Sequence, residues 1–242
     1  MRWGGARCPV RDVEQAWIER SLGWLTAQFG RAALFGDVFT PSDEYFPGVY
    51  TGSTGDVEAV VRRLCARMGV ERGAIALEYD TDGLDPELAG HIPLLTDGRT
   101  AAGHYQVRDG RAVVTLRADL TARPMALVAT VAHELGHVRL LGEGRADPDA
   151  GDHEPLTDLC ALYFGLGIFG ANAAFEFARR TQGRYTYTGT TRLGYLTEPM
   201  YGYALARYAW LRNEPDPAWA GFVDTNPRAV LKQGLRYLAR PQ

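Results

Sequence analysis

Three polar side chains fall within one otherwise apolar segment of the chain. His133 and His137 stand four residues apart, and Glu134 lies between them in the stretch His-Glu-Leu-Gly-His. Residues four apart on an α-helix lie on the same face, so the two imidazoles point the same way. Two imidazoles placed in this manner can bind one Zn²⁺ ion, and the neighbouring carboxylate can take a proton from water held there. The spacing therefore predicts a metal centre with Glu134 as general base.

The segment that carries these residues predicts a buried helix. Asp119 or Thr121 is expected to open it, Pro124 suits its first turn, and Gly142 ends it. The sequence between them, MALVATVAHELGHVRLL, is apolar on most sides. Polar side chains inside such a core cost free energy unless they are satisfied together, which a metal ion would do.

A third protein ligand is expected, because catalytic zinc sites usually have three protein ligands and one open position. A second apolar helix follows an acidic, turn-rich loop, and Glu154 and Asp158 share one face of it. Pro155 is tolerated in its first turn, with Asp152 as the expected cap. His153 is the rival ligand. Adjacent residues point about 100° apart on a helix, so only one of His153 and Glu154 is expected to bind.

The His-Glu-x-x-His stretch with a downstream Glu-x-x-x-Asp pair resembles the thermolysin-like Glu-zincins, a group of zincin metallopeptidases. The metzincin extension is absent, because Leu140 stands at its glycine position and Glu143 at its third histidine position. The resemblance covers about residues 112–165 and implies zinc as the cofactor. By resemblance, the metal ligands are His133, His137 and Glu154, the general base is Glu134, and Asp158 orients one ligand histidine from outside the ligand set.

The resemblance also implies a donor for the oxyanion that forms when water attacks a carbonyl. In Glu-zincins a Tyr or His from the later part of the chain takes this role. No histidine follows His153, so the candidates are Arg192, Tyr195, Tyr201 and Tyr203. Of these, Tyr195 and Tyr201 are the predicted catalytic residues, and core packing is the alternative for each.

A β-hairpin is predicted just before the metal-binding helix. Asp109 and Gly110 separate two β-prone runs, 103–107 and 111–117. In zincins a strand at this place forms the sheet edge that pairs with an extended substrate, so the resemblance implies that role for residues 113–117. An interior position for the same strand is the alternative.

The remaining periodic segments predict further helices and one more strand. Helices are expected over 11–29, 57–68 with Asp56 as cap, about 197–213, and near the C-terminal end, with a strand over 74–79. The expected fold is α+β and mostly helical, with a small mixed or antiparallel sheet beside the metal-binding helix, and the resemblance implies a zincin-like metalloprotease fold. One domain over 1–242 is expected, with an N-terminal helical and loop part to about residue 100, a zincin core over 101–165 and a C-terminal helical part over 166–242.

Charge and cysteine content argue against several kinds of partner and site. A formal net charge of −3 and a pI near 6.0 give no reason to expect nucleic acid or an anionic membrane as a partner. Cys8, Cys65 and Cys160 are odd in number and widely spaced, which argues against a disulfide framework or a thiolate metal site. The N-terminal residues have no apolar signal-like core, and no apolar run is expected to reach the roughly 18 residues of a membrane span. We therefore expect a cytoplasmic protein.

The leading functional hypothesis is a zinc-dependent hydrolase, specifically a peptidase that acts on a peptide or protein substrate with Glu134 as general base. Two alternatives use the same residues. One is a zinc-binding interaction or regulatory module without turnover, and the other is an amidase or deacylase restricted to small molecules. Nothing in the sequence specifies an oligomeric state.

Overall fold

The computed structural model describes residues 7–80, 103–182 and 196–240, with the backbone alone for 175–182. Within these ranges most residues are helical and three strands form a small mixed sheet, which confirms the α+β class. In chain order the elements are α1 (Asp12–Leu34), α2 (Thr54–Met68), β1 (Ile75–Asp80), β2 (Gly103–Arg108), β3 (Arg111–Arg117), α3 (Pro124–His137), α4 (His153–Ala161), α5 (Gly167–Gln182), α6 (Glu198–Leu211) and α7 (Thr225–Leu238).

Short helical turns join several of these elements. Turns of 3₁₀-helix cover Arg72–Ala74, Ala118–Ala122 and Ala218–Phe222, and wider π-helical turns cover Val138–Gly142 and Leu162–Leu166. The helical path of α3 therefore continues past His137 and ends at Gly142, where the sequence predicts its end. In the same way α4 leads into α5 through a kink.

Two predicted helix starts are wrong. The cap of α2 is Ser53, whose hydroxyl accepts from the Asp56 amide, while the Asp56 carboxylate accepts from the Ser53 amide. Asp56 thus belongs to the third position of a capping box and not to the cap itself. The Asp119 carboxylate accepts hydrogen bonds from Arg117 at 2.6 and 2.9 Å, in a 3₁₀ turn that precedes α3. Helix α3 begins only at Pro124.

The sheet has the strand order β1-β3-β2, with β1 parallel and β2 antiparallel to β3. The predicted hairpin is confirmed, and its turn residues Asp109 and Gly110 both adopt positive φ, at 52° and 75°. The edge position implied for 113–117 is wrong, because β1 pairs with the other side of β3. Strand β2 lies at an edge instead, since within the described ranges only β3 pairs with it.

Helix α1 holds the loop before α4 in place. The helix predicted over 11–29 continues through a kink at Gly30, where φ is 76°, as far as Leu34. The indole Nε1 of Trp17 donates a hydrogen bond to Asp152 Oδ2 at 2.7 Å. Asp152 occupies the N-cap position of α4 as predicted, but its side chain makes no capping hydrogen bond, because its carboxylate binds Trp17.

The segment from α4 into α5 is unusually long and apolar. Averaged over 18 residues, a window within His153–Ala174 has a mean hydropathy of 1.3, which by length and composition alone would allow a membrane span. Of the residues in that window, 83% are buried inside the protein. Packing of this segment against α1, α3 and α6 accounts for its apolar side chains.

The three cysteines, all within the described ranges, are free thiols, as the sequence predicts. Cys65 and Cys160 are buried and Cys8 is half-buried. Burial raises the pKa of the Cys160 thiol to about 12, so this group is neutral and packs as an apolar side chain.

Helices α3 and α4 approach closely at Gly136. A Cβ atom at this position would lie 2.7 Å from Thr157 Cγ2 and 3.1 Å from the Thr157 carbonyl oxygen. Both contacts are shorter than van der Waals separation, and the Thr157 side chain is fully buried. Only glycine at 136 lets the two helices meet at this distance.

We predict that Gly136→Ala lowers the free energy of unfolding by about 1–3 kcal/mol, the usual effect of overpacking a core. Gly23→Ala is the matched control, because Gly23 lies exposed in α1 with no atom within 4 Å of a new Cβ. That variant is expected to gain about 0.5–1 kcal/mol from helix propensity. Urea denaturation of both variants measures the difference, and a Gly136→Ala protein as stable as the parent would contradict the close approach.

Candidate metal centre

Helix α3 presents His133 and His137 on one face, and α4 brings Glu154 across from them. Glu154 Oε2 lies 3.0 Å from His133 Nε2 and 3.6 Å from His137 Nε2. The two imidazole rings are nearly perpendicular, with an interplanar angle of 86° and centroids 4.7 Å apart. Within the described residues these three side chains form a group of potential ligands whose atoms all lie within 4.8 Å of one another.

These distances fit the size of a zinc ion. Ligand atoms arranged tetrahedrally about 2.1 Å from zinc lie roughly 3.4 Å from one another. The separations of 3.0 and 3.6 Å between Glu154 Oε2 and the two Nε2 atoms bracket that value. His133, His137 and Glu154 are therefore spaced so that they could hold a metal ion together.

Asp158 fixes the orientation of His133. Its Oδ1 lies 2.8 Å from His133 Nδ1, and its Oδ2 accepts from the Leu196 amide at 2.9 Å. An ionised carboxylate only accepts hydrogen bonds, so Nδ1 of His133 is the donor. The Nε2 atom is thereby directed at Glu154. The expectation that Asp158 orients a ligand histidine is supported by this contact.

The two histidines of the cluster differ in how readily each carries a positive charge. Burial alone would lower the pKa of His133, but hydrogen bonds to Asp158 and Glu154 outweigh it and raise that pKa to about 10. Burial opposes ionisation of Glu154, yet its hydrogen bond to His133 and the nearby His137 hold its pKa well below the usual range. Burial lowers the pKa of His137, and the nearby His133 adds to this effect. The two carboxylates thus stabilise a positive charge on His133, while burial disfavours one on His137.

Glu134 is separate from the ligand cluster and is 4% exposed. Burial raises its pKa to about 7; the nearby His133 opposes this rise, while Glu154 and Asp158 add to it. A Cβ atom on Gly103, the first residue of β2, would lie 2.7 Å from Glu134 Oε1. The backbone of β2 therefore comes within contact distance of this carboxylate, and the absence of a side chain at 103 leaves room for it.

Tyr105 of β2 covers the second histidine. Its ring lies parallel to that of His137, with an interplanar angle of 21° and centroids 5.9 Å apart. The tyrosine hydroxyl reaches Gly142, where a Cβ atom would lie 2.8 Å from it. The edge strand therefore contributes directly to the wall of the site.

The rival ligand His153 lies beside Glu154 but outside the group of potential ligands. Its Nδ1 lies 2.8 Å from the Ala150 carbonyl oxygen and its Nε2 lies 3.3 Å from Glu154 Oε1, the oxygen that does not face His133. The group of potential ligands within 4.8 Å includes Glu154 and not His153. This geometry favours Glu154 as the third ligand.

The predicted oxyanion donors differ in whether they lie within the described residues and in what their hydroxyls contact. Tyr195 and Arg192 lie outside the described residues. Tyr201 is 5% exposed in α6, and its hydroxyl packs against Gly170 of α5. Tyr203 donates a hydrogen bond to Glu19 of α1 at 2.6 Å, which accounts for this hydroxyl structurally. A catalytic role for Tyr195 or Tyr201 stays a prediction.

Sequence reasoning missed two side chains of the site. Thr157, three residues after Glu154, places its hydroxyl 3.3 Å from His137 Nδ1. Its spacing from Glu154 places it on the same side of α4 as Glu154. A threonine in an apolar helix, however, does not by itself indicate a functional residue. Tyr105 was recognised only as part of a hairpin, because its contact with His137 depends on how the sheet packs against α3.

Comparison of the chain with protein-family models, with curated proteins and with solved structures finds no match.

Metal affinity is predicted to fall as the pH is lowered. With a pKa of about 10, His133 carries a proton at neutral pH, and a metal ion must displace that proton from Nε2. Each unit of pH below this value should weaken zinc binding by up to about tenfold, with release of roughly one proton per ion. Calorimetric titration with zinc in buffers of different ionisation enthalpy measures both quantities. Affinity that does not change across the neutral range would contradict a proton held at the ligand atoms.

The third ligand can be tested by substitution. Glu154→Ala is expected to weaken zinc binding by more than the roughly 10–100-fold that loss of an outer contact costs, because it removes a ligand atom. His153→Asn is the matched control, since its amide can still donate to the Ala150 carbonyl; affinity should stay within a few-fold of the parent. Competition with a chromophoric chelator gives both affinities. The reverse order of effects would make His153 the ligand.

Proposed function

We propose that the protein is a zinc-dependent hydrolase that cleaves peptide or amide bonds. The observation that carries the proposal is the meeting of three potential ligand atoms, from His133, His137 and Glu154, near the buried carboxylate of Glu134. Zinc bound by three protein ligands keeps a fourth position for water, and the carboxylate of Glu134 is not used in the ligand group. This division between a ligand set and a separate base is what hydrolysis requires.

When bound, zinc supplies Lewis-acid polarisation of a substrate carbonyl and lowers the pKa of water. Glu134 would then take a proton from the attacking water and return it to the leaving amine. A group that both accepts and donates a proton works best with a pKa near the working pH, and burial raises that of Glu134 to about 7. Asp158 holds His133 in the tautomer that keeps Nε2 directed at Glu154 throughout.

An extended peptide is the substrate that the surroundings favour. Within the described residues, β2 is paired on one side only, and the same strand touches Glu134 through Gly103 and His137 through Tyr105. The unpaired side of such a strand offers backbone N–H and C=O groups to another chain in extended conformation. A peptide added there would run beside the proposed base and metal ligands.

Glu134→Gln is predicted to keep zinc and to lose hydrolysis. Because the amide cannot act as a base, turnover should fall by about 10²–10⁴-fold, while the three ligand atoms are untouched. Incubation of the zinc-loaded protein with a peptide library, followed by mass spectrometry of the products, measures this loss. Glu71→Gln, at an exposed site outside the cluster, is the matched control and should cleave like the parent.

Other results of these zinc-binding and cleavage experiments would favour a different function. If the parent binds one zinc ion per chain and cleaves no peptide, the hydrolase proposal fails and an interaction module takes its place. Cleavage of small acylated amines with no peptide products would make the protein an amidase or deacylase. A Glu134→Gln protein that cleaves like the parent would remove Glu134 from the mechanism.

A further inference from the structure

The hydroxyl of Thr157 joins two parts of the proposed metal centre. The side chain is fully buried between α3 and α4. Its Oγ1 donates to the carbonyl oxygen of His153 at 2.8 Å, one turn earlier in α4. The same Oγ1 lies 3.3 Å from Nδ1 of His137.

The direction of these hydrogen bonds follows from the chemistry of the groups. A hydroxyl carries one hydrogen, and a carbonyl oxygen only accepts, so the hydrogen of Thr157 is directed at His153. Toward His137 the hydroxyl therefore acts as acceptor, and Nδ1 of His137 must carry the hydrogen. In a neutral imidazole the other nitrogen, Nε2, then has a free lone pair. That nitrogen is the one that faces Glu154 Oε2 at 3.6 Å.

We infer that Thr157 is the positioning residue of His137 and fixes the tautomer in which Nε2 is available as a ligand. Its importance for turnover rests on the proposed hydrolase function, but the tautomer does not. Asp158 has the equivalent position beside His133, with Oδ1 at 2.8 Å from Nδ1. The two ligand histidines thus have different partners, a carboxylate for His133 and a neutral hydroxyl for His137.

Packing prevents the threonine from turning away. Gly136 approaches Thr157 so closely that a Cβ atom there would lie 2.7 Å from Thr157 Cγ2. The methyl group thus fills the contact with α3 while the hydroxyl is held by the backbone of its own helix. Close helix packing and tautomer selection therefore depend on the same side chain.

The test compares Thr157→Val, which keeps the shape and loses the hydroxyl, with Thr157→Ser, which keeps the hydroxyl. Zinc affinity by chelator competition should fall about 10–100-fold in Thr157→Val, as for loss of other outer contacts, and stay within a few-fold in Thr157→Ser. Thr130→Val is the matched control, because Thr130 is buried in α3 and its Oγ1 has no hydrogen-bond partner in the described part of the chain. Its zinc affinity should equal that of the parent.

A second readout needs no metal and no activity. Long-range ¹⁵N–¹H NMR of histidine-labelled, metal-free protein distinguishes protonated from bare ring nitrogens, and the chain has only five histidines to assign. The parent and Thr157→Ser should show hydrogen on Nδ1 of His137 and not on Nε2. In Thr157→Val the hydrogen should redistribute to Nε2.

The outcomes separate this inference from the proposed function. A parent protein that binds no zinc overturns the hydrolase proposal, and the nitrogen shifts of His137 still decide the role of Thr157. A parent that binds zinc, with equal affinity in the valine and serine variants, overturns the inference and leaves the hydrolase standing. If Thr157→Val does not fold, hydrogen on Nε2 of His137 in the parent spectrum is sufficient to overturn the inference.

Discussion

The constraint on which the site depends is the electrostatics of a buried cluster. Two imidazole nitrogens and a carboxylate oxygen point into one small volume, and the ligand histidines are each less than a tenth exposed. Lone pairs that face one another in a poorly hydrated place repel unless a cation lies among them. The raised pKa of His133 has the same cause, because a proton bound there supplies the positive charge. A zinc ion would supply this positive charge and, unlike a proton, would hold the ligand atoms in a defined geometry.

The surrounding fold keeps these groups from relaxing apart. Gly136 lets α3 and α4 meet closely, Trp17 of α1 fixes Asp152 at the start of α4, and the Leu196 amide satisfies the second oxygen of Asp158. These contacts come from segments far apart in the chain. Each contact restricts the movement of the potential ligands. The free energy needed to hold their lone pairs close together therefore comes from packing in other parts of the fold, as strained functional sites generally require.

The sequence predicted the parts of the site that depend on local periodicity. Spacing of four residues placed His133 with His137 on one helical face, and the Asp-Gly turn gave the hairpin with nearly correct ends. The order of strands was not predictable in this way, because β1 reaches β3 from a distant segment and displaces it from the edge. The contacts of Tyr105 and Thr157 were missed for the same reason: each depends on how two elements pack, which no single stretch of sequence encodes.

The unequal partners of the two ligand histidines bear on reactivity. A carboxylate partner makes an imidazole more basic and a stronger donor to a metal, whereas a hydroxyl does so less. Stronger donation by all ligands would reduce the ability of a bound ion to polarise a carbonyl. The proposed ligand set already includes one carboxylate oxygen, from Glu154, and one imidazole with a carboxylate partner, His133. A neutral hydroxyl at His137 orients that ring while adding no further negative charge, so the ion would keep the electrophilic character on which water activation depends.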